Sequence, residues 1–205
     1  IAFCPDDGTD TDKLVRNADT AMYRAKRSAN DRIFTYHSDY SLEAKQFITT
    51  ESEIHRALAK GEFVAYYQPK VDLRTGQIVS LECLARWQHP ERGLVPPVDF
   101  IPVAEETGQI SELGNRIVAQ VIEDMGHWRT GGFSVPVAIN ISPRQFSEEG
   151  FLRRLEEEFR QSGCEPSMIE LEITEQVFLG DIETTARRLE RLCKAGFGIA
   201  LDDFG

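Results

Sequence analysis

From Glu62 onward the chain alternates extended apolar runs with helical stretches, and this alternation limits the fold more than any other feature of the sequence. The extended runs are Phe63–Leu73, Ile78–Trp87, Val135–Ser142, Met168–Thr174 and Gly198–Asp202. Helical spacing covers roughly Ile110–Trp128, Glu148–Gln161 and Ile182–Lys194, punctuated by Gly131-Gly132, Gly163 and Gly196. Strands that take turns with helices form a parallel sheet, either a barrel or a doubly wound sheet, so the class is α/β.

Within these runs, side chains alternate faces. Val137, Ile139 and Ile141 oppose Ala138, Asn140 and Ser142. Leu171 and Ile173 oppose Glu170, Glu172 and Thr174, and Ile199 and Leu201 oppose Ala200 and Asp202. Val79, Leu81, Cys83 and Ala85 oppose Ser80, Glu82, Leu84 and Arg86. In each of the four, one face is apolar and suits packing under helices. The other carries an oxygen donor (Glu82, Asn140, Glu172 or Asp202) near the C-terminal part of the strand. A parallel strand covered on both sides is normally apolar throughout, and an isolated carboxylate there is costly unless paired or bound to a cation. The C-terminal strand ends are also where barrels build their sites.

Carboxylates and one amide, without clustered His or Cys, suit Mg²⁺ or Mn²⁺. Asp203 directly follows Asp202. Two adjacent carboxylates share a face only where a strand breaks, and Phe204-Gly205 supply that break, which makes room for a second metal as in two-metal phosphodiester hydrolysis. Each residue alone has a plainer reading: Glu82 paired with Arg86, Asn140 as a hydrogen-bonding amide, Asp202-Asp203 as a helix N-cap. Four strands with one donor each favour the metal.

Upstream, Ile1–Phe3 and Ile33–Tyr36 read as short strands around a helix from about Asp12 to Ser28, an α+β fragment over 1–37. Residues 38–61 read as a helical connector, with capping-box spacing at Thr50-Glu51-Ser52-Glu53 and a stop at Gly61. Residues 62–205 hold the barrel segment. It is short of the ~250 residues of a closed barrel, so an incomplete TIM-like (β/α) barrel is expected, with both chain ends internal to a longer protein.

A net charge of −11 argues against a DNA- or RNA-binding surface, which needs a basic face. Four scattered cysteines without a C-x-x-C pair point to reduced thiols in a cytosolic setting. No apolar run approaches the ~20 residues of a membrane span. The four histidines share no ligand spacing and suit surface or loop positions, and Trp87 and Trp128 suit packing.

Tyr66-Tyr67-Gln68-Pro69, Glu82-Cys83-Leu84-Ala85-Arg86-Trp87, Asn140-Ile141-Ser142-Pro143, Glu172-Ile173-Thr174-Glu175 and Asp202-Asp203-Phe204-Gly205, in this order, resemble the EAL-type cyclic di-GMP phosphodiesterases. His89-Pro90, Phe100-Ile101-Pro102 and Ala104-Glu105-Glu106-Thr107-Gly108 add to the likeness. Pro5-Asp6-Asp7-Gly8 and Asn17 through Lys26 resemble the C-terminal end of a GGDEF-type diguanylate cyclase domain. The resemblance implies hydrolysis of cyclic di-GMP to linear pGpG with two Mg²⁺ or Mn²⁺ ions. Glu82, Asn140, Glu172 and Asp202 would hold one metal. Asp203 would hold the second and orient the water, and Glu175 would anchor the following loop. Gln68 and Arg86 would contact the dinucleotide. It also implies a homodimer through the barrel, upstream sensory domains, and a cytoplasmic location in a soluble or inner-membrane-anchored protein, with the activity belonging to that longer protein and this 205-residue chain by itself expected to be inactive. Two departures stand out. Cys83 replaces the signature alanine, on the helix-facing side where a small thiol fits. The family's lysine, a later glutamate and a later glutamine have no counterpart up to Gly205, which keeps a non-catalytic cyclic di-GMP receptor or interaction module as the alternative.

Overall fold

Phe63, Trp87 and Phe100 set the centre of the larger part of the molecule. In the computed structural model, which describes residues 1–27 and 33–202, all three are almost fully buried. The Phe63 ring centroid lies 5.2 Å from those of both Trp87 and Phe100. The Trp87 indole N–H donates to Glu62 Oε2 at 3.0 Å, which satisfies the one polar atom this cluster buries. Trp128 packs edge-on against Tyr67 at 4.7 Å, so both tryptophans are packing residues, as expected.

Among the described residues, six strands form one sheet: β1 (Phe63–Val71), β2 (Ile78–His89), β3 (Gly93–Val95), β4 (Val137–Ile141), β5 (Ile169–Thr174) and β6 (Gly198–Asp202). The order is β1-β2-β4-β5-β6, with β3 beside β2. β1 and β3 run antiparallel to β2, and β2, β4, β5 and β6 run parallel. The parallel core needs helical crossovers, and the expected helices supply them. α4 (Ile110–Thr130) links β3 to β4, α6 (Phe151–Ser162) links β4 to β5, and α7 (Ile182–Ala195) links β5 to β6. Gly163 and Gly196 end α6 and α7 in the left-handed conformation.

Three pieces were not legible in the sequence. Residues 101–107 form the short helix α3 (Ile101–Thr107), and 143–147 form α5 (Pro143–Ser147). β3 is the third. Each is too short for hydrophobic periodicity to register. The expected start of α6 at Glu148 moves to Phe151, because Gly150 at φ 90° breaks the chain between α5 and α6. Residues 1–3 and 33–36 form no strand. They meet through Ile1 N to Phe34 O (2.6 Å) and Tyr36 N–H to Ile1 O (2.7 Å) without forming a ladder.

The remaining helices are α1 (Thr11–Arg27) and α2 (Ser38–Lys60). α1 begins at Asp10, whose carboxylate accepts from Lys13 N–H (2.8 Å), and Asn17 ties it to Asp7 O (2.6 Å). The expected end at Ser28 lies outside the described residues. α2 runs unbroken through Thr50–Glu53, so the capping-box spacing there starts no helix. The contacts divide the chain into two compact units, Ile1–Glu53 and Ile54–Gly205, with the division inside α2. In the second unit, Ile54, Ala57 and Leu58 are buried, and Arg116 of α4 donates to Leu58 O at 2.8 Å. Among the described residues, no helix is long and apolar enough to cross a membrane.

Candidate metal centre

The two faces of the sheet differ as alternation requires. On the first, α4 covers β1: Gln120 accepts from Ala65 N–H (2.9 Å), and Tyr67 donates to Asp124 (2.6 Å). Burial and this bond to a carboxylate push the Tyr67 phenol well above its usual range. Leu81, Cys83, Val137, Ile139, Ile141, Ile169, Leu171 and Ile173 are all buried, on the same side by register. Cys83 is therefore where the sequence placed it, and burial pushes its thiol up to about 12.

The opposite face gathers the predicted donors, and register fixes their heights. Gln68 pairs with Glu82 across β1 and β2, and Glu82 pairs with Ala138 on β4. Asn140, two residues further up β4, pairs with Glu172 on β5. Asp202 lies opposite Thr174, two residues above Glu172. The donors thus climb by steps of zero or two residues, always on one face, toward the C-terminal strand ends.

The side chains only partly close this set. Asn140 Nδ2 lies 3.5 Å from Glu82 Oε1, the outer limit of a hydrogen bond. Glu172 is buried (8% exposed) and makes a 2.6 Å ion pair with Lys70 Nζ from β1. Asp202 is exposed at the end of β6, and Asp203 lies outside the described residues. Among the described residues, no three His, Cys, Asp or Glu side chains come close enough to hold a metal ion. Arg86 shares the donor face, but its guanidinium bonds to Ala85 O (2.9 Å) rather than to Glu82. Gln68 is exposed on β1, and Glu175 is exposed at the start of a 3-10 turn directly after β5. The donor chemistry fits a hard cation: carboxylate and amide oxygens on adjacent strands, with an ammonium already resting on the most buried carboxylate.

A cavity of about 250 Å³ opens beside Asn140, Glu172 and Thr174 at these strand ends. α5 bounds it. Ser142 caps that helix by accepting from Gln145 N–H (3.1 Å), so the residue two after Asn140 fixes where β4 stops. Gln145 is 2% exposed, and its Nε2 has no hydrogen-bond partner among the described residues. Glu105 of α3 also lines the cavity, and burial raises its carboxyl above the usual range.

Sequence reasoning missed two residues here. Lys70 stands two positions after Gln68, so alternation alone places it on the donor face. Gln145 had no signal, because α5 was not foreseen. His89, expected on the surface or in a loop, is buried (5% exposed) and serves the turn between β2 and β3, where its Nδ1 accepts from Glu91 and Arg92 N–H (3.1 Å each).

Residues 51–205 match the model of the EAL domain. The chain belongs to the EAL domain family. It is 35% identical over 205 residues to the cyclic di-GMP phosphodiesterase PdeR of Escherichia coli K12, covering 100% of this chain and 31% of that protein. It is 34% identical over 206 residues to the bifunctional diguanylate cyclase/cyclic di-GMP phosphodiesterase MucR of Pseudomonas aeruginosa, covering 100% of this chain and 30% of that protein. Among solved structures it resembles the MucR phosphodiesterase in complex with c-di-GMP, with a TM-score of 0.72 and 34% identity over 77% of this chain and 64% of that one. The EAL enzyme Bd1971, bound to cAMP and cyclic di-GMP, gives a TM-score of 0.73 and 31% identity over 80% of this chain and 46% of that one. The chain spans about a third of the length of these curated relatives. Its six-stranded sheet and flanking helices are accordingly the α/β fold of the EAL domain's TIM-like barrel.

Proposed function

We propose that this chain supplies the first part of a cyclic di-GMP phosphodiesterase site, cleaving the cyclic dinucleotide to linear pGpG. The observation that carries this reading is the register: Glu82, Asn140, Glu172 and Asp202 stand on one face of four adjacent parallel strands, at the ends where barrels do chemistry. Relatives that match the whole chain are named for this activity.

In this reading Glu82, Asn140, Glu172 and Asp202 hold one Mg²⁺ or Mn²⁺, and Asp203 holds a second. A bound divalent ion supplies positive charge at the scissile phosphate and lowers the pKa of water. The chain's own part is to fix the donors. β4 and β5 hold Asn140 and Glu172 side by side, and Ser142 stops β4 directly above them. Asp203 would orient the attacking water and take its proton. Gln68, level with Glu82, and Arg86, four residues above it, would grip the dinucleotide, with Arg86 leaving the Ala85 carbonyl for a phosphate. Glu175 would anchor the loop after Asp203. Residues 1–37 are read as the tail of a GGDEF-type domain followed by a connector at 38–61. The match to a bifunctional relative over the whole chain supports this. A cytoplasmic setting, upstream sensory domains and a barrel dimer belong to the same proposal.

The test is to incubate the protein that carries this chain with cyclic di-GMP and Mg²⁺ or Mn²⁺ and resolve the products by chromatography. Appearance of pGpG, abolished by Glu82→Ala, supports the enzyme. Saturable binding of cyclic di-GMP by calorimetry, with no pGpG in either metal, makes the protein a receptor instead.

A further inference from the structure

Among the described residues, Lys70 is a cation on the donor face that already touches a proposed metal ligand. Its root sits on β1 opposite Ser80 of β2, low on the sheet, while Glu172 lies two strands beyond on β5. Two residues of β2 and β4 on the same face are small. Ser80 and Ala138 share its face, and neither fills the space above the strands. The ammonium then meets Glu172 Oε1 at 2.6 Å.

Three carboxylates of this face act on the same ammonium. Its 2.6 Å contact is with Glu172, and Glu82 and Glu170 on the same face add charge attraction. Glu172 is the most buried of them, and a buried carboxylate without a counter-charge is strongly disfavoured. A face with this much negative charge needs a cation in every state of the protein. Lys70 retains a 38% exposed side chain on a flexible stem, so it can leave without disturbing the backbone.

We propose that Lys70 is the resident counter-cation of the metal-free site, holding Glu172 until a divalent ion displaces it. The inference rests on the reading of Glu172 as a metal ligand. It makes Lys70 a positioning residue that competes with the metal, the reverse of what a merely structural ion pair would do. A structural pair supports the ligand set, so its loss leaves metal affinity equal or weaker. A competing pair masks the ligand, so its loss makes binding tighter.

The experiment titrates Mn²⁺ alone, without nucleotide, into the protein and its Lys70→Met variant, by calorimetry and by the spin-resonance signal of free Mn²⁺. Lys70→Met keeps the apolar stem and removes the charge. It should bind Mn²⁺ about fivefold tighter, the order expected when a partly exposed charged hydrogen bond no longer competes. Its melting temperature without metal should fall, and the rise on adding Mn²⁺ should exceed that of the wild type. Lys70→Arg keeps the charge and should stay close to the wild-type affinity. If Lys70→Met does not fold, Lys70→Gln makes the same comparison with a neutral partner for Glu172. Wild-type binding of Mn²⁺ with equal or weaker binding by the neutral variants overturns the role of Lys70 and leaves the metal site standing. No Mn²⁺ binding by the wild type overturns the metal reading itself, and this inference with it.

Discussion

The same substitution at two positions of one helix should change stability in opposite directions. Gly126 and Gly114 both lie inside α4, where glycine costs about 0.8–1.0 kcal/mol relative to alanine. A methyl group at Gly126 meets nothing within 4 Å. Gly126→Ala should therefore stabilise the protein by about 1 kcal/mol, or roughly 2–4 °C in Tm. At Gly114 the same methyl would lie 2.2 Å from Gln145 Nε2 and 2.6 Å from its Cδ, far inside contact distance. Gln145 is almost fully buried on α5, so its amide must shift, and overpacking of this kind costs about 1–3 kcal/mol. Set against the same helical gain, Gly114→Ala should lose up to about 2 kcal/mol. Thermal and urea melts of both variants measure the difference. The Gly114→Ala/Gln145→Ala double variant should be no less stable than Gln145→Ala alone, because the colliding amide is gone. If Gly114→Ala stabilises as much as Gly126→Ala, the Gln145 amide does not rest on Gly114, and the packing that fixes α5 beside Asn140 is wrong.

Other consequences are as direct. Ser142→Ala removes the α5 cap and should cost about 1 kcal/mol in a urea melt. Cys83, with its thiol near 12, should resist iodoacetamide at pH 8 in the folded protein, whereas the exposed Cys4 and Cys193 react; mass spectrometry after brief labelling separates them. The raised pKa of Tyr67 gives stability that is fully present below pH 10 and lost as pH rises above it, because the unfolded chain releases that proton first. Tyr67→Phe should flatten the fall of stability between pH 10 and 12 and cost about 1 kcal/mol near neutrality, since Asp124 loses its donor.

Particular residues show what the sequence could and could not disclose. The face assignment of Glu82, Asn140, Glu172 and Asp202 followed from period-two alternation, because parity along a strand is independent of tertiary detail. The relative heights of these residues did not follow, since register between strands depends on the crossovers: the pairings of Glu82 with Ala138, Asn140 with Glu172 and Thr174 with Asp202 supply them. Lys70 was within reach, being on the face of Gln68, but its partner was not, because the two residues lie on β1 and β5, which are not neighbours in the sheet, and strand parity says nothing of contacts across it. α5 was hidden because five residues carry no helical period, although Ser142-Pro143 has the chemistry of a cap followed by a first-turn proline. At Thr50–Glu53 a local signal misled. The spacing of a capping box is satisfied, but helix continues on both sides, and propagation costs less than a new nucleus.

The central claim is that one face of β2, β4, β5 and β6 holds a hard divalent metal. Anomalous diffraction from crystals of the protein soaked in Mn²⁺ tests it most directly. A manganese peak is expected at the C-terminal strand ends, with oxygen ligands from Glu82, Asn140, Glu172 and Asp202 at about 2.0–2.3 Å, and with Lys70 Nζ withdrawn from Glu172. Manganese bound elsewhere, or a Lys70–Glu172 pair unchanged at saturating Mn²⁺, contradicts it.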